Sequence, residues 1–153
     1  MDLKKEIKSI ILASPEAGND RMIGIELEDF IYDKNSRRIP VNPCSEYSAS
    51  ALLKDLIDLQ ENDKYKAYYS IEPGGQIEWA STPRRSLHDV QNELNNHQKR
   101  LKTLLTNHQL NKIDLSVEPI YLPNEIDFID HKKYELMHKL FSLTGKHGPW
   151  MMR

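Results

Sequence analysis

The sequence predicts an α+β fold: an antiparallel sheet with helices packed on one face. Three stretches carry that prediction. Tyr68 to Ala80 reads as a tight hairpin around Pro73-Gly74-Gly75, Arg21 to Tyr32 as a longer strand, and Pro83 to His108 as a helix with an apolar stripe. In the hairpin, Pro73 fixes its own φ, and Gly74 and Gly75 permit φ > 0. A loop over 73–75 sets Glu72 opposite Gln76 and Ser70 opposite Glu78. Side chains alternate along a strand, so Ser70, Glu72, Gln76 and Glu78 share one face and Ile71, Ile77 and Trp79 the other. A two-residue loop pairs Glu72 with Ile77 and breaks the pattern, so the odd-numbered loop is expected.

The long strand repeats the theme. Ile23, Ile25 and Leu27 alternate with Gly24, Glu26 and Glu28, the signature of a half-buried strand. Carboxylates sharing a sheet face repel unless positive charge lies between them. On one hairpin alone, a solvated polar face is the commoner reading. Two strands with paired glutamates point instead to a hard divalent cation, Mg²⁺ or Mn²⁺, with Glu26, Glu28, Glu72 and Glu78 as its oxygen ligands or their close neighbours.

The remaining elements follow in order. Leu3, Ile7, Ile10 and Ile11 lie at helical spacing, and Asp2 caps a helix to Ala13. Residues 14–20 form a loop. Asp33 to Arg38 is a polar turn, and its basic pair Arg37-Arg38 reads as solvated. Ile39 to Tyr47, with Pro40 and Pro43, is irregular. Ser48 or Ser50 caps a helix to about Asn62, with Leu52, Leu53, Leu56, Ile57 and Gln60 on one face. The next helix starts at Pro83 with Thr82 as N-cap. Its stripe of Leu87, Val90, Leu94, Leu101, Leu104 and Leu105 includes His97, and covers Ile25, Leu27, Ile77 and Trp79. Ile113 to Leu122 alternates and reads as a strand that Pro119 shortens or holds at an edge. Asp130 caps a last helix to Leu143, with Met137, Leu140 and Phe141 inward, and 144–149 is a loop.

Composition narrows the functional classes. The 153 residues suit one domain, and 21 basic against 23 acidic residues leave no basic excess for nucleic acid. No apolar run reaches the roughly 20 residues of a membrane span, and the N-terminus lacks a signal-peptide core. Cys44 is the single cysteine, so no internal disulfide forms and a reducing cytoplasm is expected. No two histidines stand four apart, which argues against zinc. Gly145-Lys146 is no P-loop, because Leu140 and His147 occupy positions that need glycine and a hydroxyl.

Gly24-Ile25-Glu26-Leu27-Glu28, Glu72-Pro73-Gly74-Gly75-Gln76-Ile77-Glu78, Ser81, Pro83, Leu87-His88, Lys133 to Met137 and Gly148 to Arg153 together resemble the glutamate–cysteine ligases of the plant and proteobacterial type. The resemblance spans residues 21–153. It implies a glutamine-synthetase-like catalytic fold, with this chain a truncated N-terminal part whose sheet the remaining C-terminal part completes. It implies ATP-dependent joining of the L-glutamate γ-carboxylate to the L-cysteine amine through a γ-glutamyl phosphate, the first step of glutathione synthesis, with Mg²⁺ or Mn²⁺ bound. By itself the chain is then expected to be inactive. Gln76, Arg84, Tyr134 and Arg153 take substrate-binding roles, while no residue is individually assigned as the catalytic base. Arg84-Arg85 departs from the family's apolar–acidic pair, which leaves the amine acceptor open. A related carboxylate–amine ligase and a non-catalytic metal-binding fragment are the alternatives.

Overall fold

The computed structural model describes residues 2–12, 20–64 and 66–152, without the side chain of Ile11. The expected 14–20 loop falls outside this range except for Asp20, and so does Arg153. The elements run α1 (Leu3–Leu12), β1 (Glu26–Asp33), α2 (Ala49–Leu59), β2 (Tyr68–Ile71), β3 (Ile77–Ala80), α3 (Leu87–Asn107), β4 (Leu110–Ile113) and α4 (Lys132–Thr144). Short 3₁₀ turns cover Pro123–Glu125 and Gly148–Met152. The strands form one antiparallel sheet in the order β2-β3-β1-β4, which makes the fold α+β.

The hairpin has the expected three-residue loop. Ser70 pairs with Glu78 and Ile71 with Ile77, and the Glu72 amide donates to the Gln76 carbonyl at 2.9 Å. The Gly75 amide closes the turn onto the Glu72 carbonyl at 2.8 Å. Gly75 has φ +85°, and a Cβ there would lie 2.7 Å from a Val41 methyl. Backbone strain and overpacking each cost roughly 1–3 kcal/mol, so Gly75→Ala is expected to lower the unfolding free energy by about 2–4 kcal/mol in a urea titration.

The apolar face of the sheet carries the core. Tyr69, Ile71, Ile77, Trp79 and Ile31 are buried against Leu52 and Leu56 of α2 and Leu101, Leu104 and Leu105 of α3. Ser48 is the cap of α2, accepting from the Ala51 amide at 3.2 Å, while the Ser50 hydroxyl donates to the Val41 carbonyl. Ile57 is exposed rather than inward. The stripe of α1 is exposed at Leu3, Ile7 and Ile10.

Several expectations need correction. The third helix begins at Leu87 after Ser86, not at Pro83, and Leu87 itself is exposed. The chain before it extends the ladder instead: Ser81 N–H bonds the Ile25 carbonyl, and Arg84 exchanges backbone bonds with Ile23. The last strand is Leu110–Ile113, not Ile113 to Leu122. Gln109 at φ +55° turns the chain sharply out of α3, so pairing with β1 starts at once. Beyond it, Glu118 folds inward and accepts the Ile120 and Tyr121 amides, leaving Leu115, Val117, Ile120 and Leu122 exposed. The cap of α4 is His131, not Asp130: its Nδ1 accepts from the Lys133 amide, while the Asp130 amide donates to the Asn42 Oδ1. Leu140 faces solvent, while Met137 and Phe141 are half-buried. Helix α4 is also not on the α2/α3 face: its Tyr134 hydroxyl donates to the Ile71 carbonyl of the edge strand β2 at 3.4 Å.

Candidate functional site

Strand register builds a carboxylate row. Glu28 lies directly opposite Glu78, and Glu78 directly opposite Ser70, so three strands contribute to one line across the polar face. The Ser70 hydroxyl donates to Glu78. Glu72, one residue past the end of β2 and two from Ser70, falls on the same face, near enough to Glu78 for the two charges to repel. Glu26 extends the line of charge at the exposed end of β1, opposite Ala80.

Opposed like charges are destabilising on a sheet. Partial burial, then the charges of Glu78 and Glu26, push the Glu28 carboxyl above its ordinary range. Burial raises Glu72 as well, followed by Glu28 and Glu78, with Lys133 pulling the other way. The first turn of α4 brings two more groups to this place. Burial, then Glu72 and Glu78, raise the Tyr134 hydroxyl, and Lys133 lies 5.0 Å over the Tyr134 ring. Gln76 flanks the turn and is buried, with no hydrogen-bond partner on its Oε1 among the described residues. A buried acceptor of this kind normally finds a donor.

This donor set fits a hard cation in chemistry. The oxygens are carboxylates, and at Glu28 and Glu72 burial, then neighbouring like charge, raises the proton affinity. Among the described residues, however, no three His, Cys, Asp or Glu side chains are gathered closely enough to form a ready-made cage. Directly opposed Cβ atoms are about 4.5–5.5 Å apart, so bringing Glu28 and Glu78 onto one ion asks for new rotamers rather than new backbone.

The electrostatics make a sign-specific prediction. A carboxyl whose folded pKa lies above its unfolded one stabilises the fold fully below the unfolded pKa, and that contribution is lost as pH rises through the folded pKa. Glu28 and Glu72 are of this kind. Metal-free Glu28→Gln is therefore expected to melt at a higher temperature than the unmodified protein at neutral pH. The difference closes as pH falls toward the ordinary carboxylate range, about 4.

The predicted site residues do not all converge. Glu28, Glu72, Glu78 and Tyr134 share one neighbourhood, with Gln76 beside the turn and Glu26 at its margin. Arg84 is elsewhere. Its guanidinium pairs with Glu93 of α3, in a cleft of about 410 Å³ on the helical side that Trp79, Asn92 and Arg100 also line. Arg85 pairs with Asp20 at 2.8 Å.

Sequence reasoning missed three buried charges, Arg38, its partner Glu118, and Asp29. Arg38 was expected in solvent beside Arg37, yet it bonds Glu118 at 2.6 Å, with side chains 9% and 1% exposed. Arg37 alone is solvated, pairing with Asp33. Asp29 sits on the core face between Lys112 at 2.9 Å and His97 at 3.8 Å. Burial raises its pKa, but these two partners outweigh that and hold it low. His97 stacks on Trp79, with ring centroids 4.8 Å apart, and its Nδ1 lies 3.0 Å from the Tyr69 hydroxyl. The one available signal was periodicity: Asp29 falls in the apolar register of β1, and His97 in the apolar stripe of α3.

A family model described as "Glutamate-cysteine ligase family 2(GCS2)" matches residues 22–153. A chloroplastic glutamate–cysteine ligase of Medicago truncatula is 27% identical over 142 residues, covering 85% of this chain and 27% of that protein. The Arabidopsis thaliana chloroplastic protein is 25% identical over 142 residues, covering 85% of this chain and 26% of its own length. Chloroplastic glutamate–cysteine ligase B of Oryza sativa subsp. japonica is 22% identical over 161 residues, covering 97% and 32%. The chain thus spans about a quarter to a third of the length of these relatives. Among the described residues no helix is long and apolar enough to cross a membrane. With the family model covering nearly all of it, the chain belongs to glutamate-cysteine ligase family 2.

Proposed function

We propose that this chain supplies the carboxylate-lined, cation-binding face of an ATP-dependent glutamate–cysteine ligase. One observation carries the reading: the register sets Glu28 against Glu78, with Glu72 on the same face beside them. The reaction explains why such a face is needed. A carboxylate is a poor acyl donor, so ATP phosphorylates the glutamate γ-carboxylate. The cysteine amine then attacks the acyl carbon, losing a proton as inorganic phosphate departs. When bound, Mg²⁺ screens the triphosphate from the γ-carboxylate and aligns the phosphoryl group.

The chain's own residues do the rest. Glu28 and Glu78 hold the cation, Glu72 joins them by a rotamer change, and Glu26 adds charge at the margin. Ser70 orients the Glu78 carboxylate through its hydroxyl. Gln76 brings a neutral acceptor oxygen to the turn, where a substrate ammonium or amide N–H satisfies it. Tyr134 and Lys133 close the face from α4, and Lys133 supplies positive charge beside Glu72. Arg153 takes the substrate-binding role that the family resemblance implies, for which a guanidinium contact to carboxylate or phosphate is suited.

Arg84 takes no part at this face, because Glu93 engages it on the helical side. Cysteine is the acceptor this reading takes. The exposed, unpaired Cys44 suits a reducing compartment, read here as the cytoplasm.

The test is product analysis with the full gene product, ATP, Mg²⁺ and glutamate against a panel of amines. The expected result is γ-glutamylcysteine formed in step with ADP, and only with the divalent cation present. ADP release that follows another amine in preference to cysteine assigns a different carboxylate–amine ligase.

A further inference from the structure

The Arg38–Glu118 pair lies on the carboxylate face, one step from the proposed site. The Arg38 guanidinium lies 5.0 Å over the Phe30 ring and 5.6 Å over the Tyr32 ring. Phe30 and Tyr32 continue the line of Glu26 and Glu28 along β1. One amino group of Arg38 binds Glu118, and the other donates to the Gly74 carbonyl at 2.7 Å. Glu118 also accepts from the Tyr32 hydroxyl at 2.7 Å and the Ile120 amide at 2.9 Å. The carboxylate is thus saturated, and the guanidinium fork is fixed in place.

The turn itself has few other tethers. The Ile129 amide bonds the Pro73 carbonyl at 2.9 Å, and Gly75 packs on Val41. Arg38 makes the side-chain hydrogen bond to the tip. Glu72 and Gln76 are the residues on either side of that tip. We infer that Arg38 is a positioning residue: its fork, anchored on Glu118, holds the Pro73-Gly74-Gly75 turn so that Glu72 and Gln76 face the cation and the substrate. The cation half of this inference rests on the proposed function above, whereas the turn-holding half does not.

Lysine separates anchoring from mere structure. Arg38→Lys keeps a cation for Glu118 but loses the planar fork that reaches both partners. Tyr32→Phe removes a donor to Glu118 while leaving both Arg38 bonds in place. Two quantities are read in each variant: exchange of the Gly75 amide relative to the buried Leu101 amide of α3, and Mn²⁺ affinity. In Arg38→Lys, Gly75 exchange is expected to rise on the order of tenfold against Leu101, with Mn²⁺ binding weakened by about the same factor. In Tyr32→Phe both ratios stay within about twofold even if the melting temperature falls as far. Equal Gly75 exchange in Arg38→Lys and the unmodified protein overturns the inference, as does an equal rise in Tyr32→Phe. If the unmodified protein binds no Mn²⁺, the metal reading fails by itself, and the exchange ratio still decides whether Arg38 holds the turn.

Discussion

In the full gene product, and on the ligase function proposed above, Glu78→Gln is expected to cut γ-glutamylcysteine formation by at least about 10–100-fold, the range seen when even an outer partner of a metal site is lost. The same substitution should raise the Mg²⁺ concentration needed for half-maximal rate. Glu78 is the crossing point of the site. It opposes Glu28, accepts from Ser70 and lies beside Glu72, so neutralising it removes a proposed ligand and slackens its neighbours. Glu28→Gln should behave alike, and Glu26→Gln less so, because Glu26 lies at the exposed strand end. Initial rates against Mg²⁺ concentration for the three variants give the order directly. A Glu78→Gln protein with an unchanged Mg²⁺ dependence would remove that residue from the cation site.

Glu118→Leu is expected to give the largest loss of stability, about 3–5 kcal/mol, the usual cost of breaking a buried ion pair from one side. The substitution strands the Arg38 guanidinium, the Tyr32 hydroxyl and the Ile120 amide together. Arg37→Ala, one residue from Arg38, is the matched control. Arg37 pairs with Asp33 in solvent, with its side chain 66% exposed, and such pairs are worth about 0–1 kcal/mol. Urea midpoints of the two variants measure the contrast, and a loss below about 1 kcal/mol for Glu118→Leu would show that the pair is not holding the fold.

The adjacent arginines show where sequence reading stops. Nothing local separates Arg37 from Arg38; the difference is Glu118, eighty residues away by sequence separation. Glu118 was itself hidden, because Leu115, Val117 and the residues around Pro119 read as an alternating strand. The buried carboxylate overrode that pattern by collecting the amides of the chain just beyond it. Where the information was local, the reading held. The Pro-Gly-Gly turn fixed an odd loop, the loop fixed the register of Ser70 with Glu78, and alternation then fixed both faces of the hairpin. That Glu28 directly opposes Glu78 was not local, since it depends on how β1 docks on β3. The same holds for Pro83, a good helix starter by sequence, where backbone pairing with Ile23 won instead.

The central claim is that the row of Glu28, Glu72 and Glu78 is a divalent-cation site. Mn²⁺ titration followed by electron paramagnetic resonance tests it most directly, because free and bound Mn²⁺ are read separately. The predicted result is saturable binding to the unmodified protein that weakens by at least about tenfold in both Glu28→Gln and Glu78→Gln. Absence of binding, or binding that neither substitution alters, would contradict the claim and leave the carboxylate row a solvated polar face.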